Sequence, residues 1–221
     1  MSIRLFIFDM GGVVTANVQC IPDMAASLGM SEGDFFRGAG SDPEAATRAV
    51  APTSPYNLGD LGALMRGDIP PDRFWSVFSG RTGRAVQGDL WRDYFRPRPD
   101  GGTYAAIAAL TERGLRVVCG TNSLDAHYKV HQEQGHYDCF QRVYASHLMG
   151  VIKPDPAFWR CILDAEACPA EEAFFIDDNA ENVDAARALG LSVHLFTDSS
   201  ALRVALSPWI GPGPGAAGPS A

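Results

Sequence analysis

The first apolar run of the chain, Ile3–Phe8, is short and almost unbroken, and it ends at Asp9. This pattern is typical of a strand buried on both faces, because neither face of such a strand meets water. Four later runs have a similar length and character. These further predicted strands are Leu115–Cys119, Arg142–Ala145, Ala173–Ile176 and Ser192–Phe196.

Segments with a helical spacing of apolar residues separate the later runs. They are Gly102–Arg113, Asp125–Gln134, Asp155–Leu163 and Ala180–Leu189. Gly114, Gly135 and Gly190 follow three of these segments, at the point where a helix is expected to end. Strands that alternate with helices predict an α/β fold with a Rossmann-like parallel sheet as its core.

The pattern between residues 16 and 93 is different, because it contains short amphipathic pieces and no convincing strand. These pieces are Pro22–Leu28, Leu58–Met65 and Pro71–Phe78. We interpret residues 16–93 as a helical cap inserted into a discontinuous core of residues 1–15 and 94–206. Residues 207–221 are rich in glycine, proline and alanine without periodicity, and this predicts a disordered tail.

Composition restricts the class of protein. The chain has 221 residues, of which 46% are hydrophobic and 20% charged, and these values are typical of a soluble globular protein. A net charge of −8 disfavours nucleic acid and anionic membrane as partners. The five scattered cysteines and the short N-terminal apolar run predict a cytoplasmic protein without a signal peptide or membrane span. The oligomeric state stays open.

Polar side chains follow four of the predicted strands, at the edge of the sheet where such folds bind ligands. They are Asp9, Thr121, Asn122, Lys153, Asp177 and Asp178. An ionised carboxylate can attack phosphorus, and carboxylate oxygens suit magnesium. The lysine, the hydroxyl, the amide and the N–H groups of Gly11 and Gly12 are the donors that a phosphoryl transition state needs. The pattern favours phosphoryl transfer through an aspartyl phosphate.

Four segments that carry these residues occur in the order typical of the haloacid dehalogenase (HAD) superfamily. They are Phe6–Val14, Val117–Asn122, Gly150–Pro156 and Phe174–Ala186. The sequence resembles the subfamily IA members, which have a helical C1 cap, and Gly67–Trp75 resembles a common piece of that cap. The resemblance covers nearly the whole chain except the tail.

The resemblance implies a role for each acidic residue. Asp9 would be the nucleophile and a magnesium ligand, and Asp178 would be the second carboxylate ligand. Asp177 would act nearby through water, and the carbonyl of Gly11 would be a third ligand. The implied cofactor is therefore Mg²⁺.

The resemblance also implies how a small phosphorylated substrate would be held. Thr121 and Asn122 would hold the phosphate, and the loop of Gly11 and Gly12 would donate to it. Lys153 would lie between the nucleophile and the phosphate. Asp9, Lys153 and Thr121 are the expected catalytic residues.

Gly11 departs from the family pattern, because most phosphatases of this superfamily carry an aspartate there as general acid and base. Three explanations stay open. The leaving group is good, as in the glycine-bearing branch that includes sugar-1-phosphate phosphatases; a cap residue or water replaces the acid; or the protein is a slow or inactive binding protein. Such an acid typically contributes about 10²–10⁴-fold to the rate.

A 2-haloacid dehalogenase is a further alternative, since those enzymes also lack that aspartate. They lack paired acids after the fourth strand, however, and Asp177 and Asp178 beside Asp9 would repel one another without a cation. We therefore favour a magnesium-dependent phosphatase. His127 and His131 lie four residues apart without an evident third ligand, and we interpret them as surface or satisfied residues.

Overall fold

The computed structural model describes residues 2–41 and 54–211. A five-stranded parallel sheet lies at its centre, and a two-stranded antiparallel pair lies beside it. In chain order the strands are β1 (Leu5–Phe8), β2 (Thr15–Ala16), β3 (Arg98–Pro99), β4 (Arg116–Thr121), β5 (Arg142–Ala145), β6 (Ala173–Asp177) and β7 (Ser192–Leu195).

Eleven helices are found in the described residues. They are α1 (Ile21–Ser27), α2 (Glu32–Gly38), α3 (Gly59–Arg66), α4 (Pro71–Thr82), α5 (Leu90–Asp93), α6 (Gly101–Thr111), α7 (Asp125–Glu133), α8 (Ser146–Met149), α9 (Pro156–Ala165), α10 (Ala180–Ala188) and α11 (Ser199–Ile210). Two 3₁₀ turns, Pro55–Asn57 and Ala170–Glu172, complete the regular structure of that part of the chain. None of the described helices is long and apolar enough to cross a membrane.

The sheet has the strand order β5-β4-β1-β6-β7, so β1 is its central strand. Phe6 of β1 lies opposite Val117 on one side and Phe174 on the other. All five strands are parallel and are connected through helices, which confirms the predicted α/β, Rossmann-like class.

The two faces of β1 enter two separate apolar clusters, and this explains its unbroken run of apolar residues. Phe6 and Phe8 pack in a cluster with residues of α6 and α11. Leu5 and Ile7 point the other way and pack in a cluster with residues of α9 and α10. Because helices cover the sheet on both sides, no position of β1 faces solvent.

Helices α1 to α5 form a third apolar cluster, rich in aromatic rings. Phe35, Phe74, Phe78 and Trp91 are almost completely buried in it. The same cluster includes Leu124, which precedes α7. The helical segment therefore packs directly against the start of α7 in the sheet region. The division at residues 15/16 and 93/94 stays a prediction.

The short pair of β2 and β3 was not predicted. Thr15 pairs with Pro99 and Ala16 with Arg98, so the pair joins the two ends of the helical segment. Strands of two residues carry too little periodicity to be recognised in a sequence.

The predicted tail beginning at residue 207 is wrong at its start, because residues 207–210 are the last turn of α11. Leu202, Leu206 and Ile210 recur every four residues in this helix and are buried. The sequence did not predict this helix, because a segment rich in glycine and proline follows directly after it. The rest of the predicted tail, residues 212–221, lies outside the described residues.

Candidate active site

The carboxyl ends of β1, β4 and β6 open into a cavity of about 300 Å³. Asp9, Thr121, Lys153 and Asp178 all line it, although they come from four distant segments of the chain. Helices α3 and α5 contribute to the opposite wall. The structure thus brings together the polar residues that follow the strands, at the edge where the sequence predicts them.

Lys153 is almost completely enclosed, with 1% of its surface exposed. Its Nζ lies 2.8 Å from Asp9 Oδ1 and 2.7 Å from Asp177 Oδ2, and it donates to the carbonyl of Gly120 at 3.2 Å. Burial alone would lower the pKa of Lys153, but the charges of Asp177 and Asp9 outweigh it and hold that pKa above its usual value. The lysine is therefore a fixed cation between two carboxylates.

Asp9 directly follows β1 and is largely buried. Burial is the main reason that its pKa rises to about 7, and the charges of Asp177 and Asp178 add to it, while Lys153 acts against it. The positive charge of Lys153 therefore does not fully compensate the negative charge of the ionised Asp9 carboxylate.

Asp177 is completely enclosed, and every contact it makes is with the protein. One of its oxygens accepts from the main-chain N–H of Asn179 at 2.8 Å, and Nδ2 of Asn182 lies 3.1 Å from both oxygens. Together with the bond to Lys153, these contacts make Asp177 the residue that positions the lysine. The sequence did not identify Asn182 as a site residue, because its contact with Asp177 depends on how the first turn of α10 is placed against the end of β6.

Asp178 is more exposed than Asp177 and faces the loop after β1. A side chain at Gly12, which has a φ of 88°, would overlap the Asp178 carboxylate. The loop therefore approaches Asp178 as closely as only glycine allows. Gly11 lines the cavity, and Gly12 lies beside it against this carboxylate.

The three carboxylates fit a divalent cation. One oxygen from each of Asp9, Asp177 and Asp178 lies within 4.8 Å of the others. Three carboxylates face a single ammonium, so an excess of negative charge collects at this point. Hard oxygen donors with excess negative charge are the setting that Mg²⁺ prefers.

Asn122 lies at the cavity and also contacts the main chain of Lys153, while the expected contact with phosphate stays a prediction. Its Oδ1 accepts from the main-chain N–H of Lys153 at 2.8 Å, and its Nδ2 donates to the main-chain oxygen of Lys153 at 3.0 Å. Both ends of the amide therefore hold the Lys153 loop, and one N–H remains for a phosphate. Thr121 is buried at the cavity, with its hydroxyl 3.4 Å from the carbonyl of Asn122.

The histidines of α7 lie at the cavity and not on the surface. The ring of His127 stacks on that of Phe95 with centroids 3.7 Å apart, and Nδ1 of His131 lies 3.0 Å from Nδ1 of His136. Burial lowers the pKa of His127 and of His131 to about 3, so both rings are neutral. Both rings have partners within the protein, as expected, while their place at the cavity was missed. The sequence did offer a signal for His127, namely its position in the first turn of the helix that follows β4.

Comparisons with known proteins agree with this arrangement. Residues 3–190 match the family model of haloacid dehalogenase-like hydrolases. A relative named sesquiterpene phosphatase astK, from Aspergillus oryzae, is 31% identical over 173 residues, which are 70% of this chain and 86% of that protein.

Two solved structures share the fold. A HAD family enzyme from Bacteroides thetaiotaomicron, in complex with magnesium and inorganic phosphate, has a TM-score of 0.64 at 21% identity, covering 89% of this chain and 96% of that one. A predicted HAD-like family hydrolase from Porphyromonas gingivalis has a TM-score of 0.70 at 20% identity, covering 94% of this chain and 98% of that one.

Proposed function

Because the chain belongs to the haloacid dehalogenase-like hydrolases, we propose that it is a magnesium-dependent phosphatase that acts on a small phosphate monoester through an aspartyl phosphate. The observation that carries this proposal is the buried contact of Lys153 with Asp9 at the floor of the cavity. The name of the phosphatase relative supports the same reaction. The finer assignments of site residues below are part of the proposal.

In the first step, a carboxylate oxygen of Asp9 attacks phosphorus, and the bond from phosphorus to the alcohol oxygen breaks. That oxygen leaves with the electron pair and takes a proton from water, which becomes hydroxide. Lys153 offsets the repulsion between the carboxylate and the phosphate, and Thr121 donates to a phosphate oxygen.

In the second step, water attacks the phosphorus of the aspartyl phosphate. The bond from phosphorus to Asp9 breaks, and Asp9 returns as a carboxylate. One proton of the product phosphate then neutralises the hydroxide from the first step. The sum is one ester and one water converted to one alcohol and one phosphate.

Asp9, Asp178 and the main-chain oxygen of Gly11 would hold Mg²⁺, with Asp177 close by. The ion would supply the positive charge that lets a carboxylate and a phosphate approach each other. The crowded carboxylates described above are the reason to expect it, since without a cation they repel one another.

Gly11 supplies no acid to the leaving group, and this bears on the substrate. A leaving group that needs little protonation, such as a sugar 1-phosphate, is one answer, and water in the cavity is the other. We further propose that residues 16–93 act as a cap over a core of residues 1–15 and 94–206, and that the protein works in the cytoplasm on a small molecule.

Phosphate release from phenyl phosphate tests the proposal, because this ester has a good leaving group. We expect turnover with Mg²⁺, loss on chelation, and a loss of at least about 10³-fold in Asp9→Asn. Asp72→Asn, at an exposed position of α4, is the matched control and should retain full activity. Turnover that persists with chelator contradicts the magnesium assignment, and an active Asp9→Asn contradicts the nucleophile.

A further inference from the structure

We propose that the phosphorylated substrate is the monoester of an apolar, uncharged alcohol, and not of a sugar. This inference rests on the proposed phosphatase function and names the substrate class of the same cavity. It follows from three properties of the wall around Asp9 and Lys153: its apolar surface, the state of its polar groups, and its charge.

The apolar part of the wall comes from separate elements. Leu61 of α3, Trp91 of α5, Phe95 and Leu124 line the cavity and are each almost completely buried within the protein. Val18, in the loop after β2, lines it as well and is half-buried. These side chains alternate with polar ones around the cavity, so a ligand bound here lies partly against aliphatic and aromatic carbon, and that part of the wall favours hydrocarbon.

Polar side chains of the same wall are already bonded within the protein. The hydroxyl of Tyr56 donates to Oε1 of Gln19 at 2.9 Å, and Nδ2 of Asn57 donates to the main-chain oxygen of Lys153 at 3.2 Å. Asn122 is held by the same residue at both ends of its amide. A sugar hydroxyl that meets one of these bonded atoms finds it already engaged, and each unmatched hydroxyl weakens binding.

Each charged side chain of the wall already has a role in the proposed reaction. Among the described residues that line the cavity, Asp9, Lys153 and Asp178 are the only ones that carry a formal charge, since His127 and His131 are neutral. A second phosphate, a carboxylate or an ammonium on the alcohol would therefore meet no further charged partner among these described residues.

If the substrate is the ester of an apolar alcohol, one of the explanations for the missing acid at Gly11 is favoured over the others. A hydrocarbon alkoxide is a poorer leaving group than a sugar hemiacetal, so it needs a proton. The wall offers no carboxylic acid outside the carboxylate cluster among the described residues. Water in the cavity is then the donor, as in the first step above.

A series of n-alkyl phosphates tests the inference, because butyl and octyl alcohols have nearly the same leaving-group pKa. Each methylene that the cavity encloses should raise kcat/KM about fourfold. We expect octyl phosphate, kept below its micelle concentration, to exceed butyl phosphate by at least about tenfold and glucose 1-phosphate by more. A flat series, or glucose 1-phosphate as the better substrate, overturns the inference.

Two matched variants locate the effect in the wall. Val18→Thr keeps the side-chain shape and places a hydroxyl at the cavity, so kcat/KM for octyl phosphate should fall about fourfold. Val86→Thr makes the same change at a half-buried position that packs on the helical cluster outside the cavity, and should leave kcat/KM unchanged. Equal effects of the two variants contradict the assignment.

Binding separates failure of the inference from failure of the proposed function. Calorimetry of Asp9→Asn with butyl and octyl phosphonate, which cannot be hydrolysed, measures affinity without turnover. If no ester is hydrolysed but octyl phosphonate binds at least about tenfold more tightly than butyl phosphonate, the phosphatase proposal fails and the apolar cavity stands. If phenyl phosphate is hydrolysed and the phosphonates bind equally, only the apolar alcohol is overturned.

Discussion

A single ammonium group, Nζ of Lys153, organises the site at the scale of residues. It contacts Asp9 and Asp177 together, and its main chain is held by Asn122. The lysine is thereby fixed before any substrate arrives, and a preorganised charge of this kind is more effective than a mobile one. In the proposed reaction, Asp177 and Asn122 would act by positioning the lysine.

Asp9 gives the molecule a pH dependence of stability. Its pKa in the folded, metal-free protein is raised to about 7, mainly by burial, above its ordinary value of 3.8. A raised carboxyl pKa means that the folded state gains stability from the protonated form. This contribution is complete below about pH 4 and is lost as the pH rises towards 7.

We therefore expect Asp9→Asn to become progressively more stable than the wild type between about pH 4 and 7 in chelator. The difference should grow by about 1.4 kcal/mol per pH unit, because asparagine has no charge to bury. Urea unfolding at several pH values measures it. Mg²⁺ should stabilise the wild type and reduce the difference, and a difference independent of pH contradicts the raised pKa.

The types of residue at the site were predictable, but their partners were not. Side chains that follow parallel strands must meet at one sheet edge, so Asp9, Lys153 and Asp178 followed from the sequence alone. The double contact of Asn122 with Lys153 joins segments 31 residues apart and depends on the relative positions of two loops. No local pattern encodes such a contact.

At the scale of elements, α11 shows how much one helix contributes without touching the site. Leu206 is completely buried in the cluster that contains Phe6 and Phe8 of β1. Asp198 precedes the helix and accepts from the N–H of Ala201 at 2.8 Å, which caps its first turn. The helix thus closes one face of the strand that Asp9 follows.

Leu206→Ala should destabilise the protein by about 2–5 kcal/mol, since it removes methyl groups from a packed core and leaves a cavity. Val204→Ala is the matched control in the same helix, because Val204 is 74% exposed, and it should change stability by less than about 0.5 kcal/mol. Chemical unfolding of both variants gives the comparison. Equal effects contradict the packing of α11 on the sheet.

The five strands of the parallel sheet were predictable because each contains a short, largely apolar run between turns. Helix α11 was not, because its apolar positions are spaced four apart within a segment that contains Pro208 and leads into glycines. The helical segment before α6 was recognised as helical in general terms, yet α2 and α5 were missed, since seven and four residues carry little periodicity.

At the scale of the whole molecule, the helical segment is joined to the sheet at a few defined points. The hydroxyl of Ser146 in α8 donates to the main-chain oxygen of Met65 at 2.7 Å, and Arg92 of α5 forms an ion pair with Glu133 of α7. Gly67, which ends α3, lies directly against the carbonyl of His147. These contacts link the helical segment to α7 and α8 of the sheet region.

Gly67→Ala should disturb this joint. Gly67 has a φ of 76°, and a methyl group there would overlap the carbonyl oxygen of His147. The helical segment must then move away from the sheet, and we expect kcat/KM for phenyl phosphate to fall by about 10²-fold through misplacement of the cavity wall.

Gly83→Ala provides the control for Gly67→Ala. Gly83 ends α4 with a φ of 65°, so alanine costs about the same backbone strain, but its methyl group meets open space. Gly83→Ala should lose about 1–2 kcal/mol of stability and keep its kcat/KM, and Gly67→Ala should lose more stability because of the added overlap. A similar loss of activity in both variants contradicts a joint at Gly67.

The central place of β1 has a consequence for how the protein is made. Leu5 pairs with Ala173, so 168 residues separate the two ends of this contact. At about 5–20 residues per second, a ribosome needs about 8–34 s to produce the second strand after the first. During that interval the apolar segment Leu5–Phe8 lacks at least one of its two neighbours, and unpaired apolar strands of this kind are prone to aggregate until the sheet is complete.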